Sequence, residues 1–211
     1  ADDVVAMLGA TVAVAPGGTA GEGDMARALG AGVAVLGDEG GRMEVSEGLV
    51  SIKASGAKGL QYGGASITQR LYQSDNKETA PVGTTRDYPT YPIRAGMLDV
   101  GRMYIPLEYV EELGKYMSYY KMNEFHVHIN DYWGNSGYTA FRLENEKYPL
   151  ITATDGSYTK DEYKQFQKTL AAYGIDVITE IDSPYHAESF RPYVPMMGAG
   201  QMDIRTTANY D

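Results

Sequence analysis

The arrangement of apolar and polar positions changes texture near residue 90. Before it, short apolar runs such as ATVAVAP, AGVAVLG and GLVSIKA are broken by glycines and predict the strands of a small α/β domain. GASITQRLYQ predicts a helix that closes this domain. The segment PVGTTRDYPTYP then carries three prolines, which fix backbone angles and remove amide donors. The boundary is placed there, giving a small domain over 1–88 and a second over 89–211. From Ile93 a strand, helix, strand pattern repeats. IRAGMLDV is mostly apolar, and Pro106 opens LEYVEELGKYMSYYK, in which Val110, Leu113, Met117 and Tyr120 share one helical face. EFHVHIN predicts the next strand. In SYTKDEYKQFQKTLAAYG, Thr159 and Glu162 form a capping box, Tyr163, Phe166 and Leu170 line one side, and Gly174 ends the helix. IDVITEID predicts a third strand, and this alternation implies parallel βαβ units.

Each of these three strands carries charged residues at or just beyond its C-terminal end: Asp99 and Arg102, then Asp131, then Glu180, Asp182 and His186. In a parallel barrel those ends share one rim, where such folds place their chemistry. Any strand turns polar as it reaches water. Three strands that jointly supply an arginine, several carboxylates and a histidine favour a site over that explanation. His126 and His128, two apart on a strand, point to the same face and raise a metal reading. With only three histidines in the chain, a His-rich dinuclear site cannot be completed. His126 by itself reads as a packed histidine donating a hydrogen bond. Asp38 and Glu39 in LGDEGG read as a polar turn.

Charge narrows the partners. Lysine and arginine total 18 against 28 aspartates and glutamates, a formal charge of −10, which disfavours nucleic acid and anionic membrane and suits a neutral ligand. Eighteen tyrosines against one tryptophan and four phenylalanines lean toward sugar contacts, since tyrosine joins a flat apolar face to a hydroxyl. The absence of cysteine excludes disulfides, zinc-thiolate sites and thiol catalysis. The acidic start ADDVVAMLGA does not resemble a signal peptide, and no apolar run is long enough to cross a bilayer. Composition leaves cytosolic and secreted locations both open; the expectation carried forward is a secreted or cell-surface location.

RAGMLDVGRMYIPLEYVEELGKYMSYYKMNEFHVHINDYWG, AFRLENEKYP, DGSYTKDEYKQFQ and IDVITEIDSPYH together resemble the opening of the catalytic (β/α)8 TIM barrel of family 20 glycoside hydrolases, the β-N-acetylhexosaminidases and lacto-N-biosidases. GAKGLQYGGASITQRL and RDYPTYP resemble the end of the small α/β domain that precedes that barrel. The resemblance implies removal of a terminal β-linked N-acetylhexosamine, or of a disaccharide ending in it, by a retaining mechanism in which the substrate's own acetamido group is the nucleophile. No cofactor and no metal are implied; the partner is a glycan. Arg102 takes the place of the arginine that grips the sugar hydroxyls. Asp131 and His186 match the pair that supports the catalytic acid. Asp182, Ser183, Pro184, Tyr185 and His186 fill the family's D-x-P-G-H motif. His128 matches a histidine at the second strand end, and Glu180 lies two before Asp182 on the same face.

Two departures stand out. The family's Asp-Glu acid pair follows a fourth strand, so the barrel is expected to be incomplete in this chain, with the general acid beyond Asp211 and the remainder of the barrel supplied by another segment or chain. Alone, the chain is expected to be inactive. The alternatives are a non-catalytic sugar-binding remnant and, less favoured, a metal-dependent barrel hydrolase. Tyr185 stands where the family usually has glycine, which either brings a ring to the sugar or calls for a different loop path.

Overall fold

The computed structural model describes residues 19–132, 139–198 and 200–205. The chain divides into two compact units, one running to Pro92 with Tyr119–Lys121 added, the other comprising Ile93–Ser118 and the residues from Met122 onward.

In the first unit, β1 (Asp24–Leu29), β2 (Gly41–Ser46), β3 (Leu49–Ala54) and β4 (Gly83–Asp87) form a four-stranded sheet in the order β1-β3-β2-β4. Helix α1 (Ala57–Gln73) packs on it through Ile67, with Met43, Val45 and Ile52 as the sheet's contribution to the core. Close approach of helix and sheet depends on Gly59, where a Cβ would sit 2.4 Å from the Gly40 carbonyl oxygen. GLVSIKA and GASITQRLYQ are strand and helix as expected, but AGVAVLG is not a strand: Ala31–Leu36 is a 3-10 helix. The place beside β3 is taken by the preceding Asp24–Leu29, paired with it in parallel, so the next residues must turn to reach β2. ATVAVAP lies outside the described residues. Strand β4 also occupies the first part of the proline-bearing segment in which the boundary is placed, because its residues complete an antiparallel ladder with β2. Asp38 lies in the turn that leads into β2.

The second unit holds the repeating pattern. Strands β5 (Ala95–Asp99), β6 (Glu124–His128) and β9 (Asp176–Glu180) form a parallel sheet in that order. Helix α2 (Leu107–Tyr119) connects the first two, and α3 (Lys160–Ala172) precedes the third. One face of the sheet presents Leu98, Phe125, Val127 and Val177 to a core completed by Val110 and Met117 of α2 and Tyr163, Phe166 and Leu170 of α3. The capping box at Thr159 and Glu162 is present, and Gly174, at φ 73°, ends the helix in the left-handed region that glycine enters without steric cost.

The buried face of α2 differs from expectation. Val110 and Met117 are buried with Gly114 and Ser118, whereas Leu113 and Tyr120 are exposed. Gly114 is the cause: a Cβ there would come within 2.6 Å of Leu170, so the helix rests on its glycine and turns Leu113 outward. An element absent from the sequence reading follows β6, an antiparallel pair of β7 (Asn130–Tyr132) and β8 (Thr139–Phe141). Among the described residues no helix is long and apolar enough to cross a membrane.

Candidate active site

The parallel register decides what meets at the C-terminal ends. Asp99, His128 and Glu180 are direct partners across β5, β6 and β9, so all three project from the same face, opposite the apolar core. Around this row the following loops add Arg102, Asp131, Asp182 and His186.

Asp131 is the hub. It is fully buried and accepts from four groups: Oδ2 meets His128 Nε2 at 2.7 Å and Arg102 Nη2 at 2.8 Å, while Oδ1 meets His186 Nδ1 at 3.0 Å and the Tyr132 amide at 2.7 Å. Burial alone would push this carboxyl up, but His128, the Tyr132 amide and His186 outweigh it and hold Asp131 below the ordinary aspartate range. Arg102 bridges Asp131 and Asp99, its Nη1 on the Asp99 carboxylate and its own amide donating to Asp99 Oδ1 at 3.0 Å. Two carboxylates fix the guanidinium while its side chain stays 39% exposed, so donors remain free to meet a ligand.

His128 links the hub to the third strand. Its Nδ1 lies 3.0 Å from Glu180 Oε1 and 4.0 Å from Asp182 Oδ2. Desolvation opposes protonation of this ring, yet Asp131 and Glu180 more than compensate and raise its pKa. Burial and the neighbouring Glu180 push the Asp182 carboxyl up, while Glu180 is held down against desolvation by Asp182 and His128. His126 departs from the packing expectation: it is partly exposed and its Nε2 contacts Glu180 Oε2 at 2.7 Å, because strand alternation puts it on the polar face with His128.

The structure thus brings together all the residues picked out from the sequence: Arg102, His128, Asp131, Glu180, Asp182 and His186. Among the described residues, two sets of groups are spaced closely enough to ligate a cation, Asp99 with His128 and Asp131, and His128 with Glu180 and Asp182. In the first, the Arg102 guanidinium already neutralises both carboxylates, which disfavours a second cation.

Residue Asn130 was missed. It is fully buried, donates to the carbonyls of Asp182 and His186 at 3.1 and 3.0 Å, and accepts from the Asp182 amide at 2.8 Å. Its only signal was a polar amide directly before Asp131. The left-handed residue of the 182–186 stretch is His186, at φ 55°, so Tyr185 needs no glycine-like backbone and its ring is exposed.

Residues 91–210 match the family description "Glycosyl hydrolase family 20, catalytic domain". The chain belongs to glycosyl hydrolase family 20. A family 20 relative, a β-hexosaminidase of Akkermansia muciniphila, is 32% identical over 185 residues, covering 79% of this chain and 36% of the relative. A lacto-N-biosidase of Bifidobacterium bifidum is 30% identical over 178 residues, covering 81% of this chain and 14% of the relative. Among solved family 20 structures, a variant β-hexosaminidase of Streptomyces plicatus in complex with its product GlcNAc superposes with TM-score 0.75 at 25% identity, covering 91% of this chain and 43% of that one. The exo β-N-acetylglucosaminidase of Vibrio harveyi shares the fold with TM-score 0.80 at 20% identity, over 99% of this chain and 37% of its own. The chain therefore spans well under half the length of these relatives.

Proposed function

We propose that this chain contributes the front half of a catalytic (β/α)8 barrel to a glycosidase that releases terminal β-linked N-acetylhexosamine, or a disaccharide ending in it, from glycans. The observation that carries this reading is Arg102 anchored by Asp99 and Asp131 on the same rim as His186. A guanidinium held by two carboxylates presents a planar set of donors suited to a pair of sugar hydroxyls, and a neutral polyol suits an acidic chain. In the proposed reaction the 2-acetamido carbonyl attacks the anomeric carbon, forming an oxazolinium that water then opens, with net retention.

Asp131 and His186 serve the acid that protonates the leaving oxygen. With Nδ1 turned to the fixed negative charge of Asp131, the opposite nitrogen of His186 is left to meet that acid. The acid and its neighbouring aspartate are assigned to the strands that complete the barrel. Two features support such completion: β5 and β9 each pair only with β6 among the described residues, and the relatives are more than twice as long.

The test uses the complete polypeptide and a chromogenic β-N-acetylglucosaminide. Turnover inhibited by a thiazoline analogue is expected, and Arg102→Ala is expected to lower kcat/KM at least about a hundredfold through loss of charge-assisted bonds. Kinetics untouched by Arg102→Ala would remove the assignment.

A further inference from the structure

Arg142 is the largest fully buried side chain among the described residues, and it lies outside the polar cluster at the strand ends. A buried guanidinium is costly unless every donor is used. Here Nε donates to the Val100 carbonyl at 2.5 Å, Nη2 to the Gly101 carbonyl at 3.1 Å, and Nη1 to both the Gly156 carbonyl at 2.8 Å and Asp155 Oδ1 at 2.5 Å. Its Cζ also stands 5.7 Å from the Tyr104 ring centroid. Val100 and Gly101 are the two residues immediately before Arg102. The same stretch is pressed on β7: a Cβ on Gly101 would lie 3.0 Å from the Asn130 carbonyl carbon and 3.1 Å from the Asp131 nitrogen. Farther along the loop, two residues past the exposed Met103, the Ile105 carbonyl accepts from the Tyr158 hydroxyl at 2.6 Å.

We propose that Arg142 is a positioning residue that acts through Arg102: by holding the Val100 and Gly101 carbonyls it sets the height at which the β5-α2 loop presents the sugar-facing guanidinium. The assignment rests on the proposed function for its substrate but on geometry alone for the loop. Hydrogen bonds that Asp99 and Asp131 make to Arg102 fix the direction of the side chain. Asp99 also holds the Arg102 amide, and the His128 carbonyl accepts from the Val100 and Gly101 amides, but the Val100 and Gly101 carbonyls are left for Arg142 to hold. That backbone rests against Asn130 and Asp131, and Arg142 holds its Val100 and Gly101 carbonyls. A guanidinium that meets four acceptors is poorly replaced by lysine, whose ammonium lacks the fixed fork.

The experiment combines Arg142→Gln and Arg142→Lys with Arg102→Ala in the complete polypeptide. It reads KM and kcat on a chromogenic β-N-acetylglucosaminide, and amide hydrogen exchange over residues 99–106 against that of α3. Arg142→Gln is expected to raise KM roughly tenfold to a hundredfold with a smaller change in kcat. It should speed exchange in 99–106 while α3 keeps its protection. In the Arg102→Ala background the same change is expected to add less than about twofold, since the residue it positions is gone. An equal loss in both backgrounds, or exchange that rises no more in 99–106 than in α3, overturns the proposal. If Arg142→Gln does not fold, Arg142→Lys decides by the same two comparisons. A complete wild-type polypeptide without turnover would defeat the proposed function; the exchange comparison then decides alone whether Arg142 holds the loop.

Discussion

The pairing of Asp131 with His128 makes the stability of the site depend on pH in two opposed ways. Asp131 is depressed in the folded state, so its contribution is present above the unfolded aspartate pKa, about 3.9, and is lost as pH falls through the folded value. His128 is raised, so its contribution is complete below the unfolded histidine pKa, about 6.5, and is lost as pH rises through the folded value. Both are in force between those limits, and the melting temperature is expected to be highest there. His128→Gln is expected to flatten the alkaline limb of a melting-temperature profile and also to weaken the acid limb, because His128 is the foremost of the groups that hold Asp131 down. A separate outcome is expected for His186→Ala, which removes one partner of Asp131 and, under the proposed function, the support of the acid. Turnover should fall by about a hundredfold or more and the basic limb of the rate profile should change shape, as followed by kcat against pH. At this scale the sequence was highly legible, because charged residues at strand ends announce themselves by type and place. Arg142 and Asn130 were not, since nothing in a one-dimensional pattern distinguishes a polar side chain that caps carbonyls in the interior from one that faces water.

Between residues and the whole, the elements of the second unit followed their periodicities closely. Alternation in EFHVH put Phe125 and Val127 in the core and both histidines on the other face, and the 3.6-residue spacing of Tyr163, Phe166 and Leu170 gave α3 its inner side. Helix α2 went astray for a reason a hydrophobicity pattern does not carry: the contact surface is centred on Gly114, an absence of side chain that Leu170 fills. The first unit was less legible, because its strands are short and its parallel β1-β3 pairing is a long-range choice that overrides the apolar character of Ala31–Leu36. Two substitutions test the element scale. Thr159→Ala removes the capping box and is expected to cost about 1 kcal/mol of unfolding free energy in a denaturant titration, with Arg102 and its partners unaffected. Gly101→Ala places a methyl against the Asn130 and Asp131 backbone, and under the proposed function it is expected to raise KM severalfold, with α3 exchange unchanged.

At the scale of the molecule, the three-stranded sheet leaves the outer edges of β5 and β9 unpaired among the described residues, and Met97 and Ile178 are exposed on the face opposite the core. Such edges and apolar surface favour association. Residues 1–211 produced alone are expected to self-associate in light scattering, and addition of the segment proposed to complete the barrel should suppress this. The ion-pair network itself needs no such completion: every member lies between Asp99 and His186. That has a temporal meaning. A ribosome makes this stretch in on the order of ten seconds. A nascent chain therefore has the means to lock Arg102 between its two carboxylates before any later residue is made, and under the proposed function the part of the barrel made first is the template on which the part made last is sorted.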